Sequence, residues 1–315
     1  MHYSNFLLSN TKTLLTRALH DGYAVPAFNF YNMETLNAIL AAAEIAQSPV
    51  ILAVSESALQ YMGDDILMGL IRGAKYKKNQ IALHLDHGHS FEICKHAIDL
   101  GFSSVMFDGS TLSLKENIKI SRKTADYAHK FNVSVETELG VLAGFEDKNT
   151  KSANHSYTNP EIVKDFVQQT KTDSLAIAIG TSHGAFKRKN KNESLRFDIL
   201  KQIATNIPNT PLVLHGASTI PEKYIKNINK FGGDIKNAIG TSPAQIRKAI
   251  SLHVAKVNFD SDLRLAFTSK IREYLSKNKK DFNPRDYLYA VQNEIAQHCI
   301  DIIQNIMGSG TQNKN

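Results

Sequence analysis

The chain has 315 residues, of which 42% are hydrophobic and 21% charged, and its formal net charge is +7. This length permits one α/β barrel or two smaller domains, and the lack of a Pro/Gly/Ser-rich linker favours a single domain. Lysine and arginine are spread over many segments without interleaved aromatics, which favours a solvated surface and an anionic small substrate over nucleic-acid binding.

The cysteine content and the hydropathy indicate the cellular compartment in which the protein is expected. Two cysteines occur, Cys94 and Cys299, far apart and without metal-ligand spacing, so a disulfide framework is not expected. The first 19 residues are too polar for a signal peptide, and no apolar run approaches the ~20 residues that a membrane helix needs. We therefore expect a cytoplasmic protein that has no membrane partner.

Short apolar runs alternate with amphipathic segments along the whole chain. The strands are predicted over residues 24–29, 49–55, 81–89, 104–110, 133–140, 174–180, 211–215 and 255–258. The helices are predicted over 10–20, 33–46, 56–74, 90–100, 115–130, 160–169, 197–204, 221–230, 243–252, 263–276 and 285–306. This alternation predicts an α/β fold, a parallel (β/α)8 TIM barrel with additional C-terminal helices, ahead of a doubly wound sheet.

Two segments fall outside this alternation. Residues 141–159 lack periodicity and are rich in Asn, Ser, Thr and Lys, which is typical of a mobile functional loop. Residues 308–315 are polar and are predicted to fray. We therefore expect one domain over residues 1–307, followed by a tail.

At or next to the ends of three predicted strands stands a histidine that is directly followed by glycine. These histidines are His87, His183 and His215. A single histidine at a strand end is more often structural, but the carboxyl ends of barrel strands converge on one mouth. Three imidazoles that leave a coordination position open are typical of a catalytic site for zinc, cobalt or iron.

Other strand ends supply carboxylates and small turns. Asp108 and Glu138 end two intervening strands and are candidates for a second cation, and Glu136 shares a strand face with Glu138 by the two-residue period. The turns at 216–218 and 258–261 precede helices after the last two strands, where backbone N–H groups can bind a phosphate.

Asp86 and His87 are consecutive, so regular strand alternation would point them to opposite sides. We expect the strand to have ended by His87, which would let both side chains reach the same cavity. This is a direct geometric prediction for the structure.

Six segments carry a family resemblance that spans nearly the whole chain. They are H-L-D-H-G at 84–88, S-V-M-F-D-G-S at 104–110, V-E-T-E-L-G at 135–140, A-I-G-T-S-H-G at 178–184, L-V-L-H-G-A-S at 212–218 and K-V-N-F-D-S-D at 256–262. The chain resembles the class II, metal-dependent fructose-bisphosphate and tagatose-bisphosphate aldolases, and is most similar to the fructose-bisphosphate enzymes. The resemblance implies a (β/α)8 fold and a lyase that reversibly cleaves fructose 1,6-bisphosphate to dihydroxyacetone phosphate and glyceraldehyde 3-phosphate, a step of glycolysis and gluconeogenesis.

The resemblance also implies the roles of individual residues. Zn²⁺ would be bound by His87, His183 and His215, a second metal position would lie at Asp108 and Glu138, and the pattern allows a monovalent cation, Na⁺ or K⁺. Asp86 would transfer the proton of the aldehyde-derived hydroxyl, and Glu146 in the long loop would handle the proton of the triose. The substrate would be bound by Asn29, Ser55, Gly184, Gly216, Ala217, Ser218, Asn258, Phe259, Asp260 and Ser261, with Arg285 lent by a neighbouring subunit of a homodimer or homotetramer.

The sequence departs from the family pattern at three positions and leaves alternatives open. His89 stands where a small hydroxyl residue is common, and Phe259 and Ser261 stand where smaller residues or threonine are usual. Preference for tagatose 1,6-bisphosphate is one alternative. Another is a metal-dependent hydrolase that uses the His-x-His spacing of His87 and His89, and a third is a Schiff-base aldolase that uses Lys256.

Overall fold

The computed structural model describes residues 8–74, 80–146, 150–152, 156–184 and 194–310. Its strands, in chain order, are β1 Val25–Asn29, β2 Val50–Ser55, β3 Ile81–Gly88, β4 Ser104–Phe107, β5 Ser134–Leu139, β6 Ala143–Glu146, β7 Thr150–Ser152, β8 Ser174–Ile177, β9 Ser182–His183, β10 Leu212–Leu214 and β11 Val254–Phe259. Strands β1 to β5 with β8, β10 and β11 form a closed barrel, in which β11 pairs in parallel with β1. The predicted barrel is confirmed, and the doubly wound sheet is excluded.

Helices pack around the outside of the barrel, and the first of them packs across its amino-terminal end. They are α1 Thr11–Asp21, α2 Met33–Ala46, α3 Glu56–Met62, α4 Asp64–Gly73, α5 Phe91–Leu100, α6 Leu114–Ala128, α7 Val163–Thr170, α8 Phe197–Asn206, α9 Glu222–Lys230, α10 Pro243–Ile250, α11 Ser261–Lys277 and α12 Pro284–Ile302. Polar residues fix where several of them begin, as Asn32 does by forming a capping box with Thr35. Gly101 ends α5 in the left-handed conformation expected of a C-terminal glycine.

Two predicted segments differ from the structure. The predicted helix 56–74 is two helices, α3 and α4, which meet at Gly63 with φ of 74°. A positive φ cannot continue a right-handed helix, so the chain changes direction there. The predicted loop 141–159 contains an antiparallel pair, β6 and β7, and β6 also pairs in parallel with β9.

Strand alternation separates two environments around the barrel. Leu83 and Leu85 of β3 point outward into the main apolar core between the strands and the helices. Ala82 points inward and packs with Leu14 and Leu15 of α1, which lie among the barrel's inward-facing apolar side chains. The next inward residue, His84, is fully buried, so polar side chains replace the apolar core nearer the carboxyl ends of the strands.

The chain stays packed beyond residue 307. Ser309 is 2% exposed, and its hydroxyl accepts a hydrogen bond of 2.7 Å from Ser48, while residues 311–315 lie outside the described part. Cys94 and Cys299 are buried thiols that form no disulfide. Among the described residues, no helix is both long enough and apolar enough to cross a membrane.

Gly88 ends β3 where the strand passes close to β4. A Cβ atom at this position would lie 2.8 Å from the carbonyl oxygen of Met106 and 2.9 Å from the side chain of Leu85. Backbone cannot move aside cheaply, so the site excludes any side chain.

Replacing Gly88 with alanine should therefore lower the free energy of unfolding by about 1–3 kcal/mol, as overpacking does. Gly69→Ala is the matched control, because a Cβ there meets nothing within 4 Å and Gly69 lies inside helix α4. The control should stabilise the protein by roughly 0.5–1 kcal/mol. Chemical denaturation of both variants measures the difference, and equal stability of the two would contradict the close approach of β3 and β4.

Candidate metal centre

Three histidines from separate strand ends meet at the mouth of the barrel. One ligand nitrogen from each of His87, His183 and His215 lies within 4.8 Å of the other two. The ring centroids of His87 and His215 are 4.3 Å apart, and those of His87 and His183 are 5.0 Å apart. His183 does not end a barrel strand but lies in the short strand β9. The predicted convergence thus depends on β9 as well as on the barrel.

A distortion of β3 brings Asp86 and His87 to the same mouth. The strand continues to Gly88, so the prediction that it ends by His87 is wrong. The alternation breaks there nevertheless, because the register with β4 shifts between Leu85 and Gly88 and His87 has φ of 52°. This left-handed conformation costs on the order of 1 kcal/mol for a residue with a Cβ atom. It lets two consecutive side chains face one cavity.

Asp86 is held by two amides. Asn29 donates to one carboxylate oxygen at 2.7 Å, and Asn258 donates to the other at 2.8 Å. Burial alone would raise the pKa of Asp86, but the neighbouring His87 and Lys256 and the hydrogen bond from Asn29 outweigh it and hold the pKa at about 2. Asp86 is therefore an ionised carboxylate, 3.8 Å from Nδ1 of His215.

The two asparagines have unused acceptors. The side-chain oxygens of Asn29 and Asn258 are buried and have no hydrogen-bond partner among the described residues. A buried amide oxygen without a partner is costly, because it has lost its hydrogen bonds to water. A ligand that carries hydroxyl groups would satisfy both oxygens.

A second acidic group adjoins the histidines. His87 Nδ1 lies 3.0 Å from Asp108 Oδ2 and 3.9 Å from Glu138 Oε2, and these three residues form a second set of possible metal ligands. Asp108 also accepts a hydrogen bond from the backbone N–H of Ser110. Burial would raise the pKa of Asp108, but its hydrogen bond to His87 lowers it well below the usual value. The group can thus carry negative charge toward a cation.

His215 is backed by a carboxylate from β5. Its Nε2 lies 2.6 Å from Oε1 of Glu136, whose other oxygen accepts a hydrogen bond of 2.7 Å from Lys256. Burial and the neighbouring His87 and Lys256 hold the pKa of His215 well below its usual value, so its ring is neutral near pH 7. Sequence reasoning placed Glu136 beside Glu138 on one strand face but gave it no role, and the pairing with Lys256 is not visible in the sequence.

The turn after β10 approaches the backbone next to His183. Gly216 has φ of 59°, and a Cβ atom on it would lie 2.7 Å from the backbone of Ser182. Ala217 is buried in the core, and Ser218 is 4% exposed. The close approach to Ser182 therefore requires glycine at 216, and the left-handed backbone favours it.

A buried carboxylate that the sequence analysis did not single out holds this turn. Asp262 accepts hydrogen bonds from the backbone N–H groups of Thr219 at 2.8 Å and Ile220 at 2.6 Å. Ile220 has φ of 51°, a strained conformation for a β-branched residue. Asp262 was visible as the last acid of the K-V-N-F-D-S-D segment, but its partners lie more than 40 residues away.

Between β11 and α11, backbone groups rather than side chains are available to bind a ligand. Phe259 is fully buried and packs on Phe28 with ring centroids 5.8 Å apart, so its side chain belongs to the core. Asp260 pairs with Arg264 at 2.8 Å, and Ser261 is the first residue of α11. The N–H groups at this helix start remain suited to an anion.

Two further predicted residues lie close to the cluster. Ser55 pairs with Asp86 across β2 and β3, and its hydroxyl caps α3 by accepting from the N–H of Ala58. Gly184 directly follows His183 and has φ of 81°, next to residues 185–193, which lie outside the described part.

Arg285 and His89 are not part of the cluster, and of Glu146 only the backbone is described. Arg285 is exposed at the start of α12, where its Nε donates to Asn283. Glu146 ends strand β6, and its side chain lies outside the described part of the chain. His89 is exposed, and its backbone N–H donates to Glu56, so the His-x-His spacing does not form a ligand pair. The roles predicted for Arg285 and Glu146 stay predictions.

Comparison with known proteins is consistent across sequence and structure. The family model described as "Fructose-bisphosphate aldolase class-II" matches residues 9–311. The chain is 44% identical over 326 residues to the fructose-bisphosphate aldolase of Treponema pallidum (strain Nichols), covering 98% of each chain. It is 45% identical over 276 residues to the fructose-bisphosphate aldolase of Thermus caldophilus, covering 87% of this chain and 90% of the relative.

Solved structures agree with this relationship. The YdjI aldolase from Escherichia coli K12 superposes with a TM-score of 0.75 at 27% identity, covering 97% of this chain and 99% of that one. A putative fructose-1,6-biphosphate aldolase from Coccidioides immitis superposes with a TM-score of 0.76 at 28% identity, covering 95% and 96%. With a barrel whose mouth gathers three histidines, these matches assign the chain to the class-II fructose-bisphosphate aldolase family.

Proposed function

We propose that this protein is a lyase that reversibly cleaves fructose 1,6-bisphosphate to dihydroxyacetone phosphate and glyceraldehyde 3-phosphate, as a zinc-dependent enzyme of glycolysis and gluconeogenesis. The observation that carries the proposal is the meeting of His87, His183 and His215 beside the carboxylate of Asp86. The family membership supports the same reaction and implies dependence on a metal.

The donor set fits a borderline-soft divalent cation. Three imidazole nitrogens suit zinc better than magnesium, and the neutral ring of His215 keeps a lone pair for a metal near pH 7. Asp108 and Glu138 would hold a second metal position next to His87. When bound, the metal supplies Lewis-acid stabilisation of the negative charge that develops on the ketone oxygen.

Asp86 would carry the proton in the cleavage direction. The hydroxyl of the substrate's fourth carbon gives its proton to Asp86 and becomes the aldehyde, and the bond to the third carbon breaks. The electron pair stays on the three-carbon ketone, which is then protonated, in our proposal with Glu146 as the acid. Asn29 and Asn258 hold Asp86 in place, and their unpaired amide oxygens can accept hydrogen bonds from the sugar hydroxyls.

The two turns after β10 and β11 would bind one phosphate. Asp262 holds the turn at 216–218 through the N–H groups of Thr219 and Ile220, and residues 258–261 run from the end of β11 into α11, so the backbone of both segments is fixed before the substrate arrives. Ser55 and Gly184 would line the same site, and a monovalent cation, Na⁺ or K⁺, would assist there. In a homodimer or homotetramer, Arg285 would bind the far phosphate of the substrate that lies in the site of a neighbouring subunit.

The competing chemistries find less support in this geometry. A hydrolase of the His-x-His type would need His89 as a ligand, and that side chain is exposed. A Schiff-base aldolase would need a free amine, and Lys256 is fully buried in an ion pair with Glu136. Tagatose 1,6-bisphosphate is the second candidate substrate for the same cleavage reaction.

Assays of both bisphosphates on metal-analysed protein test the proposed function. Fructose 1,6-bisphosphate should be cleaved faster than its tagatose epimer, a chelator should abolish the activity, and Zn²⁺ should restore it. Activity that survives the chelator and is lost to borohydride in the presence of substrate would contradict the zinc assignment, and faster cleavage of the tagatose epimer would reverse the substrate assignment.

Replacement of Asp86 by asparagine tests its role as proton carrier. The expected loss in kcat is about 10²- to 10⁴-fold, the usual contribution of general acid–base catalysis. Bound zinc should be unchanged, because Asp86 is not among the predicted ligands.

The matched control is Asp126→Asn, which removes an exposed carboxylate that pairs with Arg122 on α6. This control should keep both activity and zinc. An Asp86→Asn variant with wild-type kcat would refute the proposed role of Asp86, and one that loses its zinc would place Asp86 among the metal ligands.

A further inference from the structure

A column of buried polar side chains lies inside the barrel below the metal centre. It is formed by Glu136, Lys256, His84, Ser104 and Thr11. Lys256 is fully buried inside it, although lysine is almost never found so deep unless it is paired. Its amine donates to Glu136 at 2.7 Å and lies 3.3 Å from Nε2 of His84. The column thus joins β3, β5 and β11 across the interior.

Glu136 links this column to the metal centre. Its second oxygen lies 2.6 Å from Nε2 of His215, a distance at which the carboxylate accepts the ring N–H. Nδ1 of His215 then has the free lone pair, and it lies on the side of Asp86, 3.8 Å from Oδ1. The hydrogen bond therefore selects one tautomer of His215.

The lower end of the column is anchored by hydroxyl groups. His84 Nδ1 lies 2.8 Å from the hydroxyl of Ser104, which in turn lies 2.9 Å from the hydroxyl of Thr11. Thr11 is the first residue of α1, and its N–H donates to the hydroxyl of Ser134. These bonds fix His84 and, through it, the direction of the Lys256 amine.

We propose that Glu136 and Lys256 are positioning residues for the metal: Glu136 holds His215 with Nδ1 toward the ion, and Lys256 keeps the Glu136 carboxylate turned to His215. This inference rests on the proposed function only in taking His215 as a metal ligand. An outer carboxylate that orients a ligating imidazole raises the affinity of a site for its metal.

The alternative is that the pair is merely structural. Buried ion pairs contribute little net stability, and neutral replacements of similar volume are often tolerated. A structural pair would affect the stability of the metal-free protein but not the affinity of the folded protein for zinc. The two roles therefore predict different results for zinc affinity.

Zinc affinity, measured by competition with a chromophoric chelator, tests the proposal in Glu136→Ala, Glu136→Gln and the double variant Glu136→Gln with Lys256→Met. Loss of the carboxylate in Glu136→Ala should weaken zinc binding by roughly 10- to 100-fold. Glu136→Gln keeps an acceptor and should lose less. The double variant leaves no unpaired charge, so it should fold even where a single variant does not.

Thr137→Val is the matched control. Thr137 lies between Glu136 and Glu138 on β5, is fully buried, and points to the opposite face by strand alternation. Its replacement should leave zinc affinity at the wild-type value. Thermal unfolding of the metal-free proteins separates changes in stability from changes in affinity.

A measurement on the wild-type protein completes the test. Histidine-selective ¹⁵N NMR of the zinc-loaded protein should show His215 with a protonated Nε2 and a metal-bound Nδ1. Zinc on Nε2, or wild-type zinc affinity in Glu136→Ala and the double variant, would overturn the proposal. If the variants bind zinc more weakly but the wild-type protein does not cleave fructose 1,6-bisphosphate, the positioning role is supported and the proposed function is contradicted.

Discussion

The candidate site depends on one break in strand alternation. In a regular β-strand, consecutive side chains face opposite ways, so Asp86 and His87 would not share a cavity. The left-handed backbone of His87 and the shifted register between β3 and β4 remove this restriction. Gly88, which follows His87, allows β4 to lie close to this bulge in β3. The proposed proton carrier and the proposed metal ligand can therefore be neighbours in both sequence and space.

The environment around this bulge gives chemically similar groups different tasks. Asp86 lies between two asparagine amides and faces the mouth, whereas Glu136 lies deeper and is neutralised by Lys256. Glu138, two residues further along the same strand face, lies near His87 instead. Three buried carboxylates thus serve proton transfer, ligand orientation and cation binding in our account, and their positions along the strands decide which.

Much of the fold was predictable because apolar runs, caps and glycine stops are local signals, as at Asn32 and Gly101. The meeting of His87 and His215 was predictable because strand ends converge in a barrel, whereas His183 lies in the short strand β9 outside the barrel. The division of the predicted helix at Gly63 was not, since a glycine's φ cannot be read from its neighbours. Neither were the partners of Glu136 and Asp262, which depend on residues tens of positions away.

The central claim is that the three strand-end histidines bind one catalytic zinc. Anomalous diffraction at the zinc absorption edge, from crystals of the zinc-loaded protein, tests it most directly. We expect one zinc ion about 2.0–2.1 Å from a nitrogen of each of His87, His183 and His215. Zinc bound elsewhere, or bound without all three imidazoles, would contradict the account.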